Sequence, residues 1–327
     1  MKNILIVTSA LGLCLAGSGA LAAPDWNKVP AKKVTLIYPG INSIERLLNG
    51  ADHEGAAGFK KNESCAGCHD EGAADLAAKV AAADPTFPKG KPSSIPVTVQ
   101  AAHDGSNLYL RFQWKATAAS GGKPMDAENQ IKLGVMLEDN KVEYGALTGC
   151  WATCHHDLRS MPDANAGAAS NPKAKALGWE DGVTKYIKES RSAIEIKKSP
   201  RGGWDKLKPD ADIDAALKAG KFLDLIQYKS AKGAKPVDGY VLESRHMTGG
   251  KSLVSAEGKN DGGNWTVTFT RKLASGGPGD HGIEPGKLYN IGFAIHDDHA
   301  NARFHHVSFG YTLGLDNAKA NINVLKQ

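Results

Sequence analysis

Residues 97–115 read VTVQAAHDGSNLYLRFQWK, and their alternation decides the fold. Leu108, Leu110, Phe112 and Trp114 alternate with Tyr109, Arg111, Gln113 and Lys115, which gives a strand one apolar and one polar face. Asp104-Gly105 is a turn signal between this run and the alternating Val97 to Gln100, so the stretch predicts an antiparallel hairpin with one buried face. Working outward, strands are expected at Lys33 to Tyr38, Ile131 to Leu137, Gly239 to Met247, Ser252 to Glu257, Trp265 to Lys272, Tyr289 to His296 and His305 to Leu313. Helices are expected around Ser43 to Leu48, from Ala73 to Ala82, from Val183 to Ser190 and from Asp212 to Tyr228. The pattern is that of a mainly β protein, an antiparallel β-sandwich carrying helices and long loops.

Composition agrees. The chain has 327 residues, enough for one large domain or two modest ones. Gly and Pro supply about 16% of it against an average near 12%, which favours turns and disfavours a helical bundle, a coiled coil or a collagen-like rod. The charged fraction of 23% is ordinary, so the chain is not disordered as a whole. There is no internal repeat, no G-x-G-x-x-G and no phosphate-binding loop.

The N-terminus predicts export. Lys2 precedes an apolar stretch from Ile4 to Ala16, and Ala20-Leu21-Ala22 has the small-x-small pattern of a signal-peptidase site, so residues 1–22 are expected to be a cleaved signal peptide and the protein periplasmic. The apolar stretch is short for a bilayer span and Leu13 before Cys14 argues against a lipoprotein; no later run is long enough to cross. The remaining chain holds 39 basic and 35 acidic residues, a net charge of +4 with no basic stripe interleaved with aromatics, which argues against nucleic acid as a partner.

Four cysteines remain after the leader. Cys65-Ala66-Gly67-Cys68-His69 is the C-x-x-C-H pattern of covalent haem attachment, in which two thiols add to the porphyrin vinyls and the adjacent imidazole binds the iron. Cys150-Trp151-Ala152-Thr153-Cys154-His155 repeats it with one extra residue. Disulfides would leave the two adjacent histidines unexplained and would close strained loops of two or three residues. Four zinc thiolates are equally hard to keep reduced in an exported protein. Two haem c groups are therefore expected, with His69 and His155 as proximal ligands. The chain divides into a small helical c-type haem segment, 23–95, too poor in large apolar residues to form a core alone, and a sandwich domain with haem-bearing loops, 96–327. The irregular stretch 156–212 is long enough to wrap a cofactor or a partner.

The C-x-x-C-H segment, the strand pair of 97–115, the loop GCWATCHHDLRSMP at 149–162 and the terminal FAIHDDHANARFHHVSFGYTLGL at 293–315 together resemble the ethylbenzene dehydrogenase-related haem-binding family. The resemblance covers most of the chain after about residue 95. It implies a β-sandwich with haem at one end and an electron-transfer role, beside a molybdoenzyme or a small cytochrome as redox partner. The molybdoenzyme subunits of that family hold a non-covalent haem b through Met and Lys, whereas this chain has two thiol-attachment motifs, so their axial ligands do not carry over.

Nine histidines remain for the sixth iron positions: His53, His103, His156, His246, His281, His296, His299, His305 and His306. Strand alternation puts His305 on the face of Val307, Phe309, Tyr311 and Leu313, with His306 opposite, and makes this pair the first candidates, for the second haem. His246, its neighbour Met247, His103 at the hairpin turn and the loop residue Met161 follow. Met136 is expected in the core and Met125 in a polar loop. The group His296, Asp297, Asp298 and His299 has metal-donor types but reads better as an inter-strand turn. Two function classes compete: a di-haem electron carrier with both irons six-coordinate, and a haem enzyme, a peroxidase or a reductase of a small nitrogen or sulfur oxide, with one open iron and Arg159, Arg245 or Arg303 as proton donors. No residue pattern marks an open distal pocket, which favours the carrier.

Overall fold

The hairpin of residues 97–115 forms with its turn at Asp104-Gly105. Strand β2, Ser94–His103, pairs antiparallel with β3, Asn107–Lys115, and sets Val97 opposite Trp114 and Ala101 opposite Leu110. The Asp104 carboxylate accepts from the backbone N–H groups of Ser106 and Asn107 at 2.7 Å each, and Gly105 takes φ +88°, where a side chain is costly. The computed structural model describes residues 23–40, 47–48, 50–51, 53–84, 87–119, 124–149, 187–190, 194–195, 201–202, 207–301 and 304–327.

The remaining strands are β1 Lys32–Ile37, β4 Lys132–Glu138, β5 Ile194–Glu195, β6 Arg201–Gly202, β7 Leu223–Lys229, β8 Val237–Val241, β9 Arg245–His246, β10 Ser255–Asp261, β11 Asn264–Lys272, β12 Tyr289–His296, β13 His306–Val307, β14 Tyr311–Leu315 and β15 Ile322–Lys326. The helices are α1 Ala56–Phe59, α2 Cys65–His69, α3 Ala73–Ala82, α4 Gly145–Thr148 and α5 Asp210–Lys218. One sheet runs β10-β11-β3-β2-β1-β13-β12-β4-β7-β8-β9, while β14 joins β12 to β15 and β15 returns to β2. Hydrogen bonding thus closes a circuit through β2, β1, β13, β12, β14 and β15. All pairs are antiparallel except β14 with β15 and β15 with β2.

The two faces of this sheet bury two different cores. Val34 and Leu36 of β1, Phe112 of β3, Phe269 of β11, Phe293 of β12 and Val324 of β15 point into the inner one. Ile37, Met136, Leu225, Val307 and Phe309 point outward and meet Leu47, Leu48, Phe59, Cys65, Ala73 and Ala77 from the N-terminal segment. A fully buried Phe or Leu is worth about 2 kcal/mol of transfer free energy, so the outer cluster holds that segment firmly against the sheet. β1 itself lies between β2 and β13, inside the sheet, although the expected boundary at residue 95 assigns it to the haem segment.

Several expected elements divide differently. The run Asp212 to Tyr228 is α5 followed by β7, because Gly220 at φ +76° ends the helix: the N–H groups of Gly220 and Lys221 donate back to the carbonyls of Leu217 and Ala216. His305 to Leu313 is β13 and β14 rather than one strand. Val307 and Phe309 face the outer core while Tyr311 and Leu313 face the inner one, so the alternation slips over Ser308–Gly310. The Ser308 hydroxyl bridges the slip by accepting from the Phe293 N–H at 2.8 Å in place of a backbone carbonyl. Gly239 to Met247 is the tight pair β8 and β9, the expected Ser252 to Glu257 strand lies at 255–261, and β15 was not expected at all. Only residues 187–190 of the expected helix at Val183 to Ser190 are described, with a 3-10 turn over 188–190.

Candidate haem-attachment site

Helix α2 is the first motif. Ser64 caps it, its Oγ accepting the Gly67 N–H at 3.1 Å, and one helical turn then places Cys65 and Cys68 three residues apart with His69 following. Both thiols are free of a disulfide. Cys65 is buried in the outer core, which pushes its thiol up to about 12, while Cys68 is exposed. His69 is half-buried, and burial together with the neighbouring His53 lowers its proton affinity, the direction that favours metal ligation. Its ring centroid lies 6.1 Å from that of Phe309 and 6.4 Å from that of His53.

Asp70 ties this turn to the sheet. Its Oδ1 accepts from the Tyr311 hydroxyl at 2.6 Å, and Lys32 Nζ stands 3.7 Å from Oδ2. Burial and the Asp70 charge hold the Tyr311 hydroxyl proton well above the usual phenol range. Behind the turn, Gly40 at φ +60° lets α3 approach, since a Cβ there would come 2.5 Å from Val80. Two free thiols on one helical turn, an adjacent neutral imidazole and an apolar wall form a donor set that fits covalently attached haem.

Cys150, Cys154 and His155 of the second motif lie outside the described residues, as do His156, Arg159, Met161 and Arg303 and the expected leader with its cleavage site. The chain is described up to Gly149. Helix α4 contacts α2, and Tyr144 before it stacks on Phe59 at 5.2 Å. Gly149, at φ +56°, is pressed so closely on the Phe309-Gly310 backbone that a Cβ would come 2.5 Å from the Gly310 nitrogen. The residue preceding Cys150 therefore abuts the one whose ring neighbours His69.

The candidate sixth ligands are dispersed. His103 has both ring nitrogens engaged, Nε2 with Asp316 Oδ2 at 2.9 Å and Nδ1 with the Gly105 N–H at 3.2 Å. His246 stacks on Tyr240 at 4.3 Å and bonds Glu243 through Nε2 at 2.6 Å; Met247 beside it is exposed. His305 is buried and stacks on His296 at 4.9 Å. His306 is buried, donates from Nε2 to the Pro92 carbonyl at 2.8 Å and is pushed down to about 4 by burial. Within the 296–299 group, Asp297 accepts from the Thr117 N–H at 2.7 Å, Asp298 pairs with Lys91, and His299 Nδ1 donates to the Asp126 carbonyl at 2.7 Å. Their side chains diverge, as in an inter-strand turn. Arg245 sits in β9. A polar cleft of about 920 Å³ between Asp139, α5 and Gly277–Tyr289 includes no described residue of either motif.

His53, one of the nine histidines, is not among those that sequence position ranks, because nothing in its spacing from Cys65 marks it. Its carbonyl accepts from the Ala56 N–H at 2.9 Å at the start of α1, and its Nδ1 donates to the Leu47 carbonyl at 3.0 Å.

Comparison with known proteins gives the family. A family model described as ethylbenzene dehydrogenase matches residues 23–261 and 239–308, reaching well before residue 95. The chain is 45% identical to cytochrome c-552 of Stutzerimonas stutzeri, with both chains covered completely. It is 32% identical to cytochrome c-551 of Rhodocyclus tenuis over 93% of this chain and all of the relative. Among solved structures, a carbohydrate binding module family 9 from Caldicellulosiruptor kristjanssonii in complex with cellotriose aligns over 71% of this chain and 75% of its own, at 9% identity and a TM-score of 0.27, too low to carry an argument. Full-length similarity to two cytochromes c and the family match together establish that the chain belongs to the ethylbenzene dehydrogenase-related family of haem-binding cytochromes.

Proposed function

We propose that the protein is an exported, periplasmic di-haem c-type cytochrome that carries electrons between redox partner proteins, such as a molybdoenzyme and a small cytochrome. One haem c is held by Cys65, Cys68 and His69, the second by Cys150, Cys154 and His155. The observation that carries the reading is α2, where two free thiols and an imidazole stand in attachment order on one turn against an apolar core. Haem supplies a one-electron iron couple. The chain's own residues do the rest: thiols fix the ring covalently, His69 donates a neutral nitrogen, and Asp70, Tyr311 and Lys32 hold the ligating turn still, so that little rearranges when charge changes.

The contact of α2 with α4, and of Gly149 with Phe309, brings the stretch that leads to Gly149 beside the first motif. Among the described residues, no helix is long and apolar enough to cross a membrane. The modest positive charge suits an acidic partner and a steering effect that salt weakens. Stopped-flow reduction of the holoprotein by small donors tests the role: fast reduction without a saturable substrate step is expected. Steady-state turnover of peroxide, nitrite or hydroxylamine would replace the carrier by a haem enzyme.

A further inference from the structure

We propose that His53 is the sixth ligand of the iron held by His69, making the first haem bis-histidine. The inference rests on the reading of Cys65–His69 as a haem attachment.

The separation of the two rings allows it, and the arrangement of the His53 nitrogens selects it. Two imidazoles on opposite sides of one metal, each bonded at roughly 2 Å, have centroids about 6 Å apart. The His53 and His69 rings stand at 6.4 Å with a 36° tilt. Histidines that stack on a neighbouring ring in this protein are closer and flatter: His281 on Phe222 at 4.2 Å and 5°, His246 on Tyr240 at 4.3 Å and 16°, His305 on His296 at 4.9 Å and 17°. The wider spacing is the one that two rings on a shared atom would have, and rotation about a common axis permits any tilt. Phe309 stands from His69 at a similar 6.1 Å and 35°, so the nitrogen arrangement of His53, which a phenyl ring lacks, makes the distinction.

The nitrogens agree. A carbonyl only accepts, so the 3.0 Å bond to the Leu47 oxygen puts the His53 proton on Nδ1 and leaves the lone pair on Nε2. Ligating histidines use this same support, a backbone oxygen on one nitrogen that fixes tautomer and ring orientation for the other. His103, with both nitrogens engaged inside the protein, shows the contrast.

Residue 55 preserves the open edge. A Cβ at Gly55 would come 3.0 Å from both Cε1 and Nε2 of His53. Gly55 has φ −72°, which any residue tolerates, so conformation alone does not require glycine there. Clearance for the imidazole does. Around the pair, Leu47, Leu48, Phe59 and Phe309 belong to the apolar cluster that also takes Cys65, as a flat hydrophobic ring needs.

Near-infrared magnetic circular dichroism of the unmodified ferric holoprotein should show at least one bis-histidine haem; two histidine–methionine haems would overturn the inference. In His53→Ala, half of the low-spin signal should convert to high spin, the ferrous protein should take up one more equivalent of carbon monoxide than the parent, and added imidazole should restore the low-spin form. Unchanged spectra and carbon monoxide uptake would overturn it. If His53→Ala sheds its haem, His53→Met decides: a raised potential and a thioether signature on one haem are expected, and parent-like spectra overturn the assignment. Mass spectrometry of the parent peptide spanning residues 62–79 separates the two ideas, since a peptide without haem would remove the attachment itself.

Discussion

The Tyr311 hydroxyl donates to Asp70 Oδ1 at 2.6 Å across 241 residues of sequence. It links β14, at the far end of the chain, to the residue that follows His69, so the Cys65–His69 turn is clamped by a strand threaded long after it. Tyr311→Phe should cost about 1–2 kcal/mol, the worth of a hydrogen bond to a carboxylate that is partly hydrated. Denaturant unfolding checks this, and redox titration should show one haem shifted and the other unchanged.

Gly149, immediately before Cys150, is pressed against backbone. Gly149→Ala combines a left-handed φ with a Cβ 2.5 Å from the Gly310 nitrogen, backbone that cannot rotate away. A loss on the order of 2–4 kcal/mol is expected, with a matching fall in the fraction of chains carrying the second haem. Thermal melts and intact mass measure the two effects separately.

The acid limb of stability should depend on Asp104. Four donors, from Ser106, Asn107 and Tyr109, hold this carboxyl well below the usual carboxylate range. A depressed folded-state value contributes stability above about pH 4, the unfolded value, and loses it as pH falls through the folded one. Asp104→Asn should therefore flatten the dependence of unfolding free energy on pH below 4, while near pH 7 it is less stable than the parent.

Replacing Cys65 and Cys68 together with serine should remove one haem and leave the strands formed. Their turn packs mainly on the outer core and meets the inner one only through Ala66, whereas the inner core of Phe112, Phe269 and Phe293 is built mostly from strand residues. The far-UV circular dichroism should keep its strand signal and the melting temperature should fall. Loss of the strand signal would mean that the first haem is needed for the sheet itself.

The β2–β3 hairpin was legible because Arg111 and Gln113 leave its outer face polar, so alternation appears directly in the sequence. β7 was hidden for the opposite reason. Leu223 and Leu225 face the outer core, Ile226 faces the inner one, and Asp224 is buried in an ion pair with Arg271 at 2.5 Å, so a strand covered on both sides shows no period of two. The slip at Ser308 turns the odd-numbered residues from the outer core to the inner one, and that depends on a serine hydroxyl bonding to β12, a tertiary event with no local mark. The two Cys-His motifs stand out in the sequence because covalent haem attachment would dictate such spacing. His53 does not, because its position comes from the turn into α1 and the Leu47 carbonyl, both set by packing on the sheet.

Mass spectrometry of the denatured mature protein counts its covalent haems. Two covalent haems on a chain beginning near Ala23, one on the Cys65–Cys68 peptide and one on the Cys150–Cys154 peptide, are expected. A single haem would contradict the second attachment site, and a chain without covalent haem would contradict the account as a whole.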